Sequence, residues 1–268
     1  MGLEEQYKIR QKEGFKPGYT EIVSEKTNPE MLMSFGVMKI LKGEDFSNDE
    51  SLERVFVLFH GEVELSWNGN CVTVSRGNLY DDDPRTLHVP KNMKVNIKCL
   101  SEEAEFSVHK TENEKEFASK LYGSEELVKE VRGKGTMNET GTRLVRTIID
   151  YSIDPDANFM IGEDVQYPGK WAGFPSHSHA QPEIYFYRFL PENGFGLLKL
   201  GDEGVCIEQD DTCIIPPTLV HPQVGAPGYA MYFLWVIRHL PGNPYIKPDF
   251  EEQHLWAEQP DAKIWPER

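Results

Sequence analysis

The stretch Pro175-Ser-His-Ser-His-Ala-Gln-Pro-Glu-Ile-Tyr-Phe-Tyr-Arg-Phe189 decides the reading of this chain, together with Ile214-Ile-Pro-Pro-Thr-Leu-Val-His-Pro-Gln223. The first places His177 and His179 one residue apart and Glu183 four residues after the second imidazole, at the head of an apolar strand. The second brings His221 behind a Pro-Pro turn. Three neutral imidazoles and one carboxylate suit a single divalent first-row metal such as Zn, Mn, Fe or Ni. Side chains alternate across a strand, so Tyr185, Tyr187 and Phe189 share the face of Glu183, while Ile184, Phe186 and Arg188 take the other. Two phenols therefore line the pocket near the metal. Tyr185 and Tyr187 are candidates for moving a proton or holding a substrate hydroxyl. Lys170, just upstream of the His pair, is the candidate cation for an anionic substrate, ahead of Arg143 and Arg238.

Working outward, most of the chain reads as short strands. Residues 35–41, 54–61, 62–69, 71–77, 86–90, 94–100 and 105–111 are rich in Val, Ile and Phe, with Gly, Asn, Asp and Pro between them. Asn68-Gly69 is a type I′ hairpin signal. Strands resume at 143–150, 159–166, 183–189, 195–201, 212–217 and 229–238. Between the two sets, Thr111 to Glu114 has the form of a capping box, Phe117 and Leu121 lie one helical turn apart, and Gly123 is placed to end a helix. Residues 132–142 are Gly-rich and polar. In the Pro-rich tail, Asp249 to Glu252 suits a short helix, and Trp256 and Trp265 are expected to pack down. This pattern gives an all-β chain of two tandem barrels: 1–120, a linker at 121–142, and 143–268.

The halves resemble each other weakly: residues 53–61 parallel 183–194, and 86–92 parallel 213–222. The first half has no H-x-H before Glu53, and Val95 stands five residues after Pro90 where His221 stands five after Pro216. One metal is expected, in the second half alone. His88 and His109 of the first half are expected to matter little for catalysis.

The net charge of −16 disfavours nucleic acid and anionic membrane surfaces, but not a small anionic ligand in a locally basic pocket. The four cysteines show no C-x-x-C spacing and no disulfide framework is expected. The amino terminus lacks an apolar signal region, Gln6 breaks the myristoylation pattern that Gly2 begins, and no apolar run approaches membrane-spanning length. A cytoplasmic protein follows as the expectation, and its edge strands leave a homo-oligomer open.

H-x-H-x3-E with a later P-x4-H resembles the metal-site pattern of the cupin superfamily. The stretches 169–179 (GKWAGFPSHSH), 183–196 (EIYFYRFLPENGFG) and 221–236 (HPQVGAPGYAMYFLWV) resemble more closely the bicupin 5-deoxy-glucuronate isomerases of inositol catabolism. The likeness extends to FGVMKILKGE, EVRGKG and the aromatic tail, so it covers most of the chain. It implies two cupin barrels of double-stranded β-helix type. It also implies an aldose–ketose isomerisation of a uronic-acid sugar, here 5-deoxy-glucuronate to 5-dehydro-2-deoxy-gluconate. In one respect the chain is similar to a sister family, the 4-deoxy-L-threo-5-hexosulose-uronate ketol-isomerases of pectin breakdown: only Ala180-Gln181-Pro182 separates H-x-H from the Glu. Other metal cupins are the remaining alternatives, either dioxygenases or non-catalytic sugar-binding bicupins.

Overall fold

The computed structural model describes residues 2–266 of the 268. Two compact units are present. One comprises Glu13–Leu127 and Ile148–Met160; the other comprises the residues through Lys12, Val128–Thr147 and the chain from Ile161 onward. Both are built from antiparallel β-structure of the jelly-roll kind. Among the described residues, helix is confined to Leu3–Tyr7 and short 3-10 turns, including Met137–Glu139 and Glu252–Glu258. No helix among the described residues is long and apolar enough to cross a membrane.

The first unit is organised by one strand where the sequence suggests two. Glu53–Trp67 runs for 15 residues straight through the expected break at Gly61. Its first part pairs with Arg85–Val89 and Glu103–Thr111, and its second with Asn70–Arg76 and Val95–Cys99. The register shifts between Leu58 and His60, and Gly61 takes φ +107, so the strand bends from one sheet into the next without ending. A Cβ on Gly61 would lie 2.6 Å from that of Ala104, which only glycine avoids. Asn68 and Gly69 both have positive φ, as the I′ hairpin requires. The core of this unit is apolar, with Phe56, Leu58, Leu65, Trp67, Leu87, Ile97 and Phe106 at its centre.

The helix expected after Thr111 does not form. Residues 112–119 are irregular and Lys120–Tyr122 is a strand paired with residues 86–88. Tertiary partners outweigh the local helix signal. Asn113 donates to buried Glu53 at 2.7 Å and turns its own carbonyl oxygen to Lys115 N, while Phe117 stacks on His88 at 4.5 Å.

In the second unit a seven-stranded sheet runs in the order Lys8–Ile9, Thr212–Ile215, Glu183–Leu190, Ala230–Arg238, Phe159–Gln166, Arg143–Ile149, Val128–Arg132. A four-stranded sheet runs Trp171–Ala172, Gln223–Gly225, Phe195–Leu200, Glu203–Glu208. Strict alternation of exposed and buried residues along Phe195–Leu200 turns Gly196, Leu198 and Leu200 inward. Glu183 stands opposite Ile215 and Ile237, and Tyr185 opposite Cys213 and Trp235, so these residues share the inner face. Arg188, on the other face, pairs with Asp210. The tail departs from expectation. Trp256 and Trp265 are 55% and 69% exposed, and with Trp171 and Phe174 they line an open cleft of about 450 Å³.

Candidate metal centre

The His-x-His segment is held by the tail: His177–Ser178 pairs with Asp249–Phe250. Glu183 opens the Glu183–Leu190 strand four residues after His179. The turn carrying His221 is fastened to the earlier histidines, since Thr218 N donates to the His179 carbonyl at 2.8 Å. Residues 42 positions apart in sequence are thereby brought together. His179 Nε2 lies 3.0 Å and His221 Nε2 3.3 Å from Glu183 Oε2. One donor atom from each of these three buried residues falls within 4.8 Å of the others. His177 stands beside them and is partly exposed, its ring centroid 5.0 Å from that of His221.

All three imidazoles are oriented in the same way. His177 Nδ1 lies 3.1 Å from Pro175 O, His179 Nδ1 2.8 Å from Gln181 O, and His221 Nδ1 2.8 Å from Leu219 O. Each Nδ1–H donates to a carbonyl two residues away, which fixes the tautomer and leaves Nε2 as the free donor atom. Burial pushes His177 down to about 4 and His221 well below its ordinary value, so both rings are neutral at neutral pH. Burial also opposes a charge on His179, but the Glu183 carboxylate beside it outweighs burial and holds this imidazole above its usual range. Burial raises Glu183 in turn, against the pull of His179. Neutral His177 and His221 beside the His179–Glu183 pair, in a buried site, are compatible with a divalent cation, which would displace the proton that this pair shares.

Tyr185 hydrogen-bonds the Glu183 carboxyl and places its ring 5.7 Å from His221. Tyr187 follows on the same face, 6.1 Å further along between centroids. Burial holds both phenols far above their ordinary pKa, so they are protonated hydrogen-bond donors. Lys170 occupies a half-buried turn whose carbonyl accepts Gln166 Nε2 at 3.1 Å and Gly225 N at 3.3 Å. Arg143 is committed to Asp164 at 2.8 Å, and Asp164 also accepts Trp235 Nε1 at 3.0 Å. Arg238 donates to the neighbouring His239 carbonyl.

One neighbour of this site and two buried glutamines of the same unit were not singled out by the sequence. Tyr245 packs edge-on to His179 at 5.0 Å, delivered by the Pro-rich tail with no periodic signal to announce it. Gln223 lies two residues beyond His221, and Gln166 ends the Phe159–Gln166 strand; both are fully buried.

The sequence model of the KduI/IolB family matches residues 8–257. A 5-deoxy-glucuronate isomerase from Shouchella clausii is 30% identical over 111 residues, which span 35% of this chain and 40% of that relative. An IolB-like protein from Salmonella typhimurium superposes over 94% of this chain and 98% of its own, with a TM-score of 0.81 at 20% identity. An oxalate decarboxylase from Bacillus subtilis aligns over 93% of this chain and 80% of its own, with a TM-score of 0.67 at 12% identity. At these identities the two solved structures establish the shared fold.

Proposed function

The chain belongs to the KduI/IolB family, and we propose that it is a metal-dependent aldose–ketose isomerase of a uronic-acid sugar, converting 5-deoxy-glucuronate to 5-dehydro-2-deoxy-gluconate. The observation that carries this reading is the pair of carbonyl-anchored imidazoles, His179 and His221, whose Nε2 atoms gather around Glu183, with His177 anchored in the same way beside them. His177, His179, Glu183 and His221 are the residues that would hold the cation, in the second barrel. When bound there, a divalent cation supplies a Lewis acid that stabilises negative charge on the sugar's C1 and C2 oxygens.

In the open-chain aldose a base at the site takes the C2 proton, the C2–H electron pair forms the C1–C2 double bond and the C1 oxygen gains a proton to give an enediol. The C2 hydroxyl then gives up its proton to become the ketone as a proton returns at C1. Tyr185, held neutral by burial, would turn its one O–H from the Glu183 carboxyl to the oxygen that gains charge once that carboxylate is committed to the cation. Lys170, at the edge of the same barrel, meets the substrate carboxylate. The buried ligands and aromatic walls exclude water from the intermediate. The short Ala180-Gln181-Pro182 spacing favours a second substrate, the 4-deoxy-5-hexosulose uronate of pectin breakdown. Both sugars are to be incubated with metal-replete protein in D2O. Turnover of 5-deoxy-glucuronate with deuterium at the new CH2OH carbon supports the proposal. Deuterium-free product points instead to hydride transfer, and turnover of the second sugar alone reassigns the substrate.

A further inference from the structure

We infer that Gln223 and Tyr187, assisted by Gln166, form a hydroxyl-recognising subsite inside the second barrel that selects a polyhydroxylated substrate; this rests on the isomerase reading above. All three side chains are fully buried. Neither Oε1 nor Nε2 of Gln223 has a protein partner, nor does the Tyr187 hydroxyl, nor Oε1 of Gln166. Buried amides and phenols are ordinarily paired, because an unpaired one forfeits its bonds to water with nothing in return.

Their placement points to one cavity. Gln223 is the register partner of Leu198, which is buried between exposed Leu197 and Lys199, so Gln223 projects inward from the four-stranded sheet. Tyr187 projects from the inner face of the seven-stranded sheet, on the strand and face that carry Glu183 and Tyr185. The Tyr185 ring lies 6.1 Å from Tyr187 on its own strand and 5.7 Å from His221, which stands two residues before Gln223 at the entry to the four-stranded sheet. The unpaired groups of Gln223 and Tyr187 therefore face the interior from the two sheets, Tyr187 on the strand that carries Glu183 and Gln223 two residues beyond His221.

The chemistry of the set names its ligand. A primary amide offers two donors and an acceptor, and a phenol offers one donor with acceptor capacity. A carboxylate would use the donors alone, whereas a sugar hydroxyl uses both kinds. The hydroxyls read here are those of the carbon chain beyond the pair of oxygens at the cation. A glutamine at an inward strand position costs stability in the free protein and recovers it when a hydroxyl binds.

The test uses Gln223→Met, which keeps the side chain's length and removes its polarity, on metal-replete protein. Its KM for 5-deoxy-glucuronate should rise about tenfold, the equivalent of one good hydrogen bond, with kcat changed less than about threefold. Calorimetric affinity for gluconate, which offers carboxylate and hydroxyls without an aldehyde, should fall in parallel. Metal content should be unchanged, and Tm of the EDTA-treated variant should equal or exceed that of wild type. Tyr187→Phe, which removes one oxygen, carries the same test should Gln223→Met fail to fold. Unchanged KM and gluconate affinity in a variant, in protein whose wild type binds and turns over the sugar, overturn the subsite alone. A wild type that neither isomerises 5-deoxy-glucuronate nor binds gluconate overturns the isomerase reading and the subsite with it.

Discussion

His109 of the first unit gives a sharp test of which histidines are structural. It is fully buried, stacked on Phe35 at 5.2 Å and edge-on to Phe159 at 6.3 Å; its Nε2 meets Ser107 Oγ at 2.9 Å and its Nδ1 has no partner. Burial pushes its pKa down to about 3. The folded chain thus refuses a proton that the unfolded chain takes up at about 6.5. Stability is untouched above that pH and falls as pH drops toward 3. Between pH 7.5 and 5.0 the loss from this one group is about 2 kcal/mol. His109→Phe keeps the ring stack and removes the titration, while giving up the bond to Ser107 at about 1 kcal/mol. The variant should therefore be less stable than wild type by about 1 kcal/mol at pH 7.5 and more stable by about 1 kcal/mol at pH 5.0, with a crossing near pH 6. His88 works in the opposite sense. Burial opposes its charge, but Glu53 and Asp154 outweigh it and raise its pKa, so its contribution is full at low pH and lost as pH rises. It is present in both proteins and drops out of the difference. Urea unfolding in EDTA at pH 5.0, 6.0 and 7.5 measures the curves. Parallel curves would refute the burial argument. Loss of isomerase activity in His109→Phe would refute the placement of chemistry in the second barrel.

Three further outcomes are expected. His221→Ala should lose bound metal and at least about 100-fold in activity while far-UV circular dichroism stays native; full activity would remove His221 from the site. Tyr185→Phe should lower kcat about 100-fold with little change in KM, the signature of a donor used in the transition state. Gly162→Ala places a methyl 2.1 Å from the Trp235 ring, should cost about 1–3 kcal/mol in chemical denaturation, and should disturb the indole bond to Asp164.

Much of this architecture was legible because strands obey a period of two. The inward set Glu183, Tyr185 and Tyr187 followed from parity and is what the register places on one face. The Asn68-Gly69 hairpin followed from the φ values that only such residues take readily. The continuous strand through Gly61 was hidden because glycine marks a bend as readily as an end. The missing helix after Thr111 was hidden because its residues are claimed by Glu53 and His88, distant in sequence. At the site, residue types announced the donors, but the carbonyls that orient them are backbone atoms with no sequence signature. Tyr245 reaches His179, and Gln223 comes to stand opposite Leu198, through loop and sheet geometry that no local spacing encodes.

The most direct measurement is a proton NMR time course of 5-deoxy-glucuronate with metal-replete protein beside an EDTA-stripped sample. Loss of the C1 hydrate or hemiacetal signal with growth of a ketose CH2OH signal, in the metal-replete sample only, is the expected result. Equal conversion in both samples would contradict the metal centre, and no conversion with Zn, Mn, Fe, Co or Ni would contradict the assignment of this reaction to the chain.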